Sequence, residues 1–126
     1  MRSVRLFTVM AAVLALGACD WGPRGPGELR GIVTSAANPV GAIVLEIRGP
    51  GVQGFTDAGQ TRVFYAETET DVYRVVLVTS GPDRIRFRVA MDEVRAPALT
   101  VAIVEAVDGN NGPITDLGGI AVEFNR

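Results

Sequence analysis

Ile85-Arg86-Phe87-Arg88-Val89-Ala90-Met91 sets an apolar side chain at every second position, with arginine or alanine between. Successive side chains of a β-strand point to opposite faces. Ile85, Phe87, Val89 and Met91 therefore share a core face, while Arg86 and Arg88, with Arg84 just before them, share the other. The same period recurs outward from this stretch. Ile43, Leu45 and Ile47 alternate with Ala42, Val44, Glu46 and Arg48, and Ile120, Val122 and Phe124 alternate with Ala121, Glu123 and Asn125. Residues 72–79 and 99–107 are apolar on both faces, as expected of strands in the middle of a sandwich. Shorter candidates lie near 31–35, 52–56 and 62–67.

Turn chemistry separates these runs. Asn38-Pro39, Gly49-Pro50-Gly51, Asp57-Ala58-Gly59, Ser80-Gly81-Pro82-Asp83 and Asp108-Gly109-Asn110-Asn111-Gly112-Pro113 all interrupt regular structure. No segment carries a convincing 3.6-residue period. The expected fold is all-β: one small antiparallel β-sandwich of seven to eight strands, immunoglobulin-like or jelly-roll in type, over residues 29–126.

The first nineteen residues read differently. Arg2 and Arg5 precede Leu6-Phe7-Thr8-Val9-Met10-Ala11-Ala12-Val13-Leu14-Ala15-Leu16, an uncharged run of eleven residues. That is the length of a signal-peptide core, whereas a membrane-spanning helix needs about twenty residues. Leu16-Gly17-Ala18-Cys19 follows and resembles the lipobox of bacterial lipoproteins. The resemblance implies a signal peptide over 1–18, cleaved before Cys19, and a diacylglyceryl group on the Cys19 thiol. Residues 19–28, dense in Gly and Pro, then read as a tether between lipid and domain. The expected location is exported and membrane-anchored, on a periplasmic or cell-surface face. Asp20 resembles the inner-membrane retention signal of enterobacterial lipoproteins, and the choice between inner and outer membrane stays open.

Within the domain, Gly31-Ile32-Val33 followed by Asn38-Pro39-Val40-Gly41-Ala42-Ile43-Val44-Leu45 resembles the opening of prealbumin-like, carboxypeptidase-regulatory-type domains. The strand layout is also similar to cohesin-type sandwiches. Both resemblances imply a binding module and not an enzyme.

Composition narrows the chemistry. The formal net charge is −2, and it grows more negative once Arg2 and Arg5 leave with the signal, which argues against a nucleic-acid partner. All twelve basic residues are Arg, and there is no His. Nucleophile–base catalysis lacks its usual base, and Schiff-base chemistry lacks its lysine. A single cysteine and no histidine exclude an intrachain disulfide and Cys/His zinc sites. Glu67, Glu69 and Asp71 keep a carboxylate-dependent enzyme as a remote alternative, though the run reads as a solvated edge. Asp108, Asn110 and Asp116 form a weak calcium candidate, since calcium takes several oxygen ligands from one loop. A long β-turn requires the same residues, so no metal and no cofactor is expected.

One surface stands out. If residues 80–83 close a hairpin with Thr79 opposite Arg84, Val76, Val78, Ile85 and Phe87 face the core. Tyr73, Val75 and Leu77 then join Arg84, Arg86 and Arg88 on an apolar and cationic outer face, a candidate interaction surface. A change of one residue in loop length would exchange the two faces. The expected function is a lipid-anchored, non-enzymatic module that binds an envelope protein or contributes to envelope structure. A carbohydrate- or polymer-binding module is the alternative, and against it stand the few aromatics and the position of Trp21 in the tether.

The anchor is directly testable. Cys19→Ser is expected to move the protein out of the membrane fraction, because stable attachment needs two or more acyl chains, each buried methylene contributing about 0.8 kcal/mol. A variant still sedimenting with membranes after a carbonate wash would contradict the lipid.

Overall fold

A computed structural model describes residues 25–36, 38–95 and 98–126. Eight strands run in order: β1 (Gly27–Ser35), β2 (Val40–Arg48), β3 (Val52–Asp57), β4 (Thr61–Glu69), β5 (Val72–Thr79), β6 (Arg86–Met91), β7 (Thr100–Asp108) and β8 (Ile120–Asn125). A single 3₁₀ turn, Leu117–Gly119, precedes β8. Sheet I has the order β3-β6-β1-β8 and sheet II the order β4-β5-β2-β7, with every pairing antiparallel. The expected all-β sandwich is the fold.

The pairings nest: β4 with β5, β3 with β6, β2 with β7 and β1 with β8. This is one long antiparallel ribbon with its tip at the β4–β5 turn, rolled up so that β1 also meets β6 and β2 also meets β5. Nested pairing of this kind is the jelly-roll manner of folding. In an immunoglobulin sheet, by contrast, the first two strands are neighbours. Here only β4 and β5 form a hairpin within a sheet, and the other connections between the described strands cross from one sheet to the other.

That rule overturns the expected β5–β6 hairpin. Both edges of β5 are occupied, by β4 and β2, so no place beside it is left for β6. The connecting stretch instead crosses the roughly 10 Å between packed sheets. Its start is tied to sheet II, where Ser80 N donates to Gln60 O at 3.2 Å. Its end is tied to sheet I, where Val33 N donates to Ile85 O at 3.0 Å. Pro82 between them offers no N–H for a ladder. The mid-sandwich expectation also fails for β7, which is an edge strand paired only with β2, and Val104 on it is 43% exposed.

Between the sheets lie the alternating apolar residues. Ile43, Leu45 and Ile47 of β2, Tyr73, Val75 and Leu77 of β5, and Phe87, Val89 and Met91 of β6 are all buried in one cluster. The middle of sheet I is built on a glycine. Gly31 of β1 has Phe87 as its partner on one side and Phe124 on the other, and the two rings meet edge-on with centroids 5.8 Å apart. A Cβ at Gly31 would run into the Phe87 ring. The open side between β3 and β4 is closed by Phe55, whose ring lies 5.0 Å from Tyr65 and 5.5 Å from Tyr73.

Side-chain hydrogen bonds also join the two sheets. The Tyr73 hydroxyl donates to the Val52 carbonyl at 3.2 Å, and the buried Thr61 Oγ1 accepts from Arg86 N at 3.1 Å. Thr61 stands just past the β3–β4 corner, a turn in which Gly59 adopts φ +58° and Asp57 Oδ1 accepts from Val63 N at 2.7 Å.

Gly31→Val is expected to lower stability by about 1–3 kcal/mol, the usual cost of overpacking. Gly109→Ala, where an added Cβ meets nothing within 4 Å, is expected to change it by less than about 0.5 kcal/mol. Urea unfolding followed by circular dichroism measures both, and equal effects would contradict the packing role of Gly31.

Candidate functional site

The sandwich turns two flat faces outward, and strand parity assigns their residues. On sheet I the outward positions are Glu28, Arg30, Ile32 and Thr34 of β1, Arg86, Arg88 and Ala90 of β6, and Ala121, Glu123 and Asn125 of β8. Arg30 is the direct cross-strand partner of Arg88 on one side and of Asn125 on the other. One row along, Ile32 stands between Arg86 and Glu123. Arg30, Ile32, Arg86, Arg88 and Asn125 line an open depression of about 500 Å³, walled on one side by the Ala58–Gly59 turn. Among the described residues no carboxylate pairs with Arg30, Arg86 or Arg88; the ion pairs there are Arg48–Glu46 at 2.6 Å and Arg74–Glu46 at 3.8 Å.

Sheet II presents the opposite character. Phe64 of β4, Val76 of β5 and Val44 of β2 are cross-strand partners in one row. On β7 the partner of Val44 is Glu105, and Val104 beside it is the extra residue of a bulge between the pairs Val44–Glu105 and Leu45–Ile103. Phe64 is 59% exposed. Beside it runs a second row of Arg62, Val78 and Ala42. On the far side, Ala66, Arg74, Glu46 and Ala102 form a third row, held by the Glu46 ion pairs.

The expected mixed surface is therefore divided. Tyr73, Val75 and Leu77 are core residues of sheet II, buried and not displayed. Arg86 and Arg88 are exposed, on the far side of the sandwich from β5's outer face. Arg84 belongs to the crossing loop and lines a smaller hollow of about 270 Å³ with Val33, Pro39, Val40 and Asp83. The outward face of β5 is carried by Val76 and Val78, the residues that the hairpin assumption had placed in the core. Two members of the cationic and apolar faces escaped sequence reasoning, Arg30 and Phe64. Both occupy alternating positions of strands, and only the neighbour pairing reveals what they stand beside.

Asp108, Asn110 and Asp116 are placed by loop geometry. Asp108 Oδ1 accepts from Asn110 N and Gly112 N, each at 2.9 Å, while Asp108 N donates to Gly112 O at 2.8 Å. The carboxylate thus closes its own turn, Asn110 contributes its backbone, and Asp116 stands at the start of the 3₁₀ turn, lining one hollow of about 260 Å³ together with Asp108. Among the described residues no group of three or more His, Cys, Asp or Glu side chains is arranged to hold a metal ion. Of the acidic run, Glu67 faces Tyr73 across the β4–β5 pair, and Asp71 forms the hairpin turn at φ 60° with its carbonyl accepting from Gly49 N. Cys19 and the tether up to residue 24 lie outside the described residues.

Tyr73 has a displaced titration. Burial pushes its hydroxyl up to about 12, reinforced by Glu67 and, more weakly, by Asp71 and Tyr65. The fold thus favours the neutral phenol, while an unfolded tyrosine ionises at about 10. Stability from this group is full below pH ~10 and declines as pH rises toward the folded value. Urea midpoints of the parent are expected to fall between about pH 9 and about pH 11. A smaller fall for Tyr73→Phe is the expected control, and an identical fall would assign the loss to other groups.

No protein-family model matches the chain, and neither does any curated protein or solved structure, so its function is read from its own residues.

Proposed function

We propose that the chain is an exported, lipid-anchored, non-enzymatic binding module of a bacterial envelope, and that the outer face of sheet II receives a protein partner. The observation that carries this reading is the apolar row of Phe64, Val76 and Val44 across three adjacent strands, with exposed Val104 beside its β7 end. Adjacent Val78 is 40% exposed and widens it. Singly scattered apolar residues on a surface are ordinary, whereas a contiguous row with a polar rim is what interaction sites present. Arg62 on one border and the Arg48–Glu46–Arg74 group on the other supply that rim.

The lipobox-like segment ending at Cys19 supports a membrane location. The lack of His and Lys supports a role in binding over one in catalysis. Phe64 is the expected anchor, since at 59% it is the most exposed of the large apolar side chains, and aromatic anchors dominate the energy of such contacts.

A photo-crosslinking amino acid at position 64 is expected to give a single protein adduct in cells, and the same probe at Thr34 on sheet I none. Val44→Glu is expected to reduce the adduct at least tenfold. An adduct of equal yield from both positions, or none at 64, would refute this surface.

A further inference from the structure

The cationic face of sheet I holds three guanidinium groups that the fold itself does not use. Arg30 and Arg88 stand directly opposite one another in the β1–β6 ladder, a placement in which like charges destabilise a sheet. Arg86 lies two residues along β6 on the same face. Cross-strand partners stand about 5 Å apart at Cβ, and the next row of the same face lies about 7 Å away. Three positive charges therefore occupy two adjacent rows, and among the described residues none is answered by a carboxylate. Asp57, close by at the end of β3, spends its Oδ1 on Val63 N. We infer that Arg30, Arg86 and Arg88, with the Asn125 amide, form a binding site for a small diphosphate-bearing ligand.

The shape and chemistry of the depression argue for this ligand class. Its floor is Ile32 and the backbone of Gly31 and Phe87, and the small Ala58–Gly59 turn walls one side without filling it. Arginine presents a planar fork of donors that grips a phosphoryl group through two parallel bonds, and it stays charged at any physiological pH. A diphosphate carries about three negative charges near neutrality, matching the three guanidinium groups, while a carboxylate carries one. Two linked phosphoryl groups also allow one ligand to be held from both rows. The Asn125 side chain adds donors of its own beside Arg30.

The same surroundings argue against an extended anionic surface. Glu28 and Glu123 flank the cluster on the same face, and the whole chain is acidic at −2. A membrane surface or a long polyanion would meet those carboxylates together with the arginines, whereas a compact ligand meets the arginines alone. The site lies on the opposite sheet from the apolar row, so it stands whether or not that row binds a protein.

Titration calorimetry of the full-length protein in detergent with sodium pyrophosphate, at low salt, tests the site. One saturable event is expected, weakened at least tenfold in Arg30→Gln and in Arg88→Gln and unchanged in Arg62→Gln on sheet II. Arg88→Gln is also expected to melt at or above the parent temperature, because it removes a like-charge pair. Absence of saturable binding at millimolar pyrophosphate would overturn the inference, as would equal weakening in Arg62→Gln. A strongly destabilised Arg88→Gln would overturn it too, by making the arginine structural. Binding only to vesicles rich in anionic phospholipid, with no competition by pyrophosphate, would replace the small ligand with a membrane surface.

Discussion

Everything on sheet I depends on the pairing of a glycine with a phenylalanine. Gly31 leaves room for the Phe87 ring, and Phe124 closes against that ring from the other neighbour strand. Because side chains alternate strictly along a strand, this one contact also sets the partners of every residue in β1. With Gly31 opposite Phe87, Arg30 must stand opposite Arg88 and Ile32 opposite Arg86. A slip of one residue would drive Arg30 into the core and expose Leu29 and Val33. Core packing and the cationic face are thus two consequences of a single register.

The ribbon-like connectivity explains why so few polar bonds suffice to hold the layers. Each crossing connection ties one sheet to the other covalently at the ends of the strands. Between those ends, the apolar cluster does most of the work, at roughly 25 cal/mol per Å² of apolar surface removed from water. Tyr73 and Thr61 add direction to a force that has none. Each reaches from sheet II to a backbone group of sheet I, and each satisfies a polar atom that burial would otherwise leave costly. Both act on the side where β3 and β4 form the corner, which Phe55 and Tyr65 also cover.

The two outer faces differ because nothing forces them to agree. Inward positions must fit one shared core, whereas outward positions answer only to water or to a partner. Sheet II carries Phe64, Val76 and Val44 there, and sheet I carries Arg30, Arg86 and Arg88. On one border of the sheet II row, Glu46 serves both Arg48 and Arg74. That matching is absent from the arginines of sheet I, and the contrast within one small domain separates a solvated rim from a face that awaits an anion.

How far the chain could be read without its structure follows from what periodicity encodes. Alternation of Ile43, Leu45 and Ile47, or of Phe87, Val89 and Met91, states which side of a strand is wet, and turn residues such as Pro50, Gly59 and Pro82 state where strands stop. Those signals are local, and together they determine seven to eight strands, an all-β core and, through Leu16 to Cys19, the expectation of a lipid anchor. They hold no information about neighbours. Whether the 80–85 stretch turns back as a hairpin or crosses to the other sheet depends on which edges of β5 are already taken, and β4 and β2 take both. For that reason the arginines of β6 and the valines of β5, adjacent in the chain, end on opposite faces of the molecule. Tertiary structure alone brought Arg30 beside Arg88 and Phe64 into line with Val76 and Val44, because cross-strand contact is decided by pairing between distant segments and by the packing that selects it.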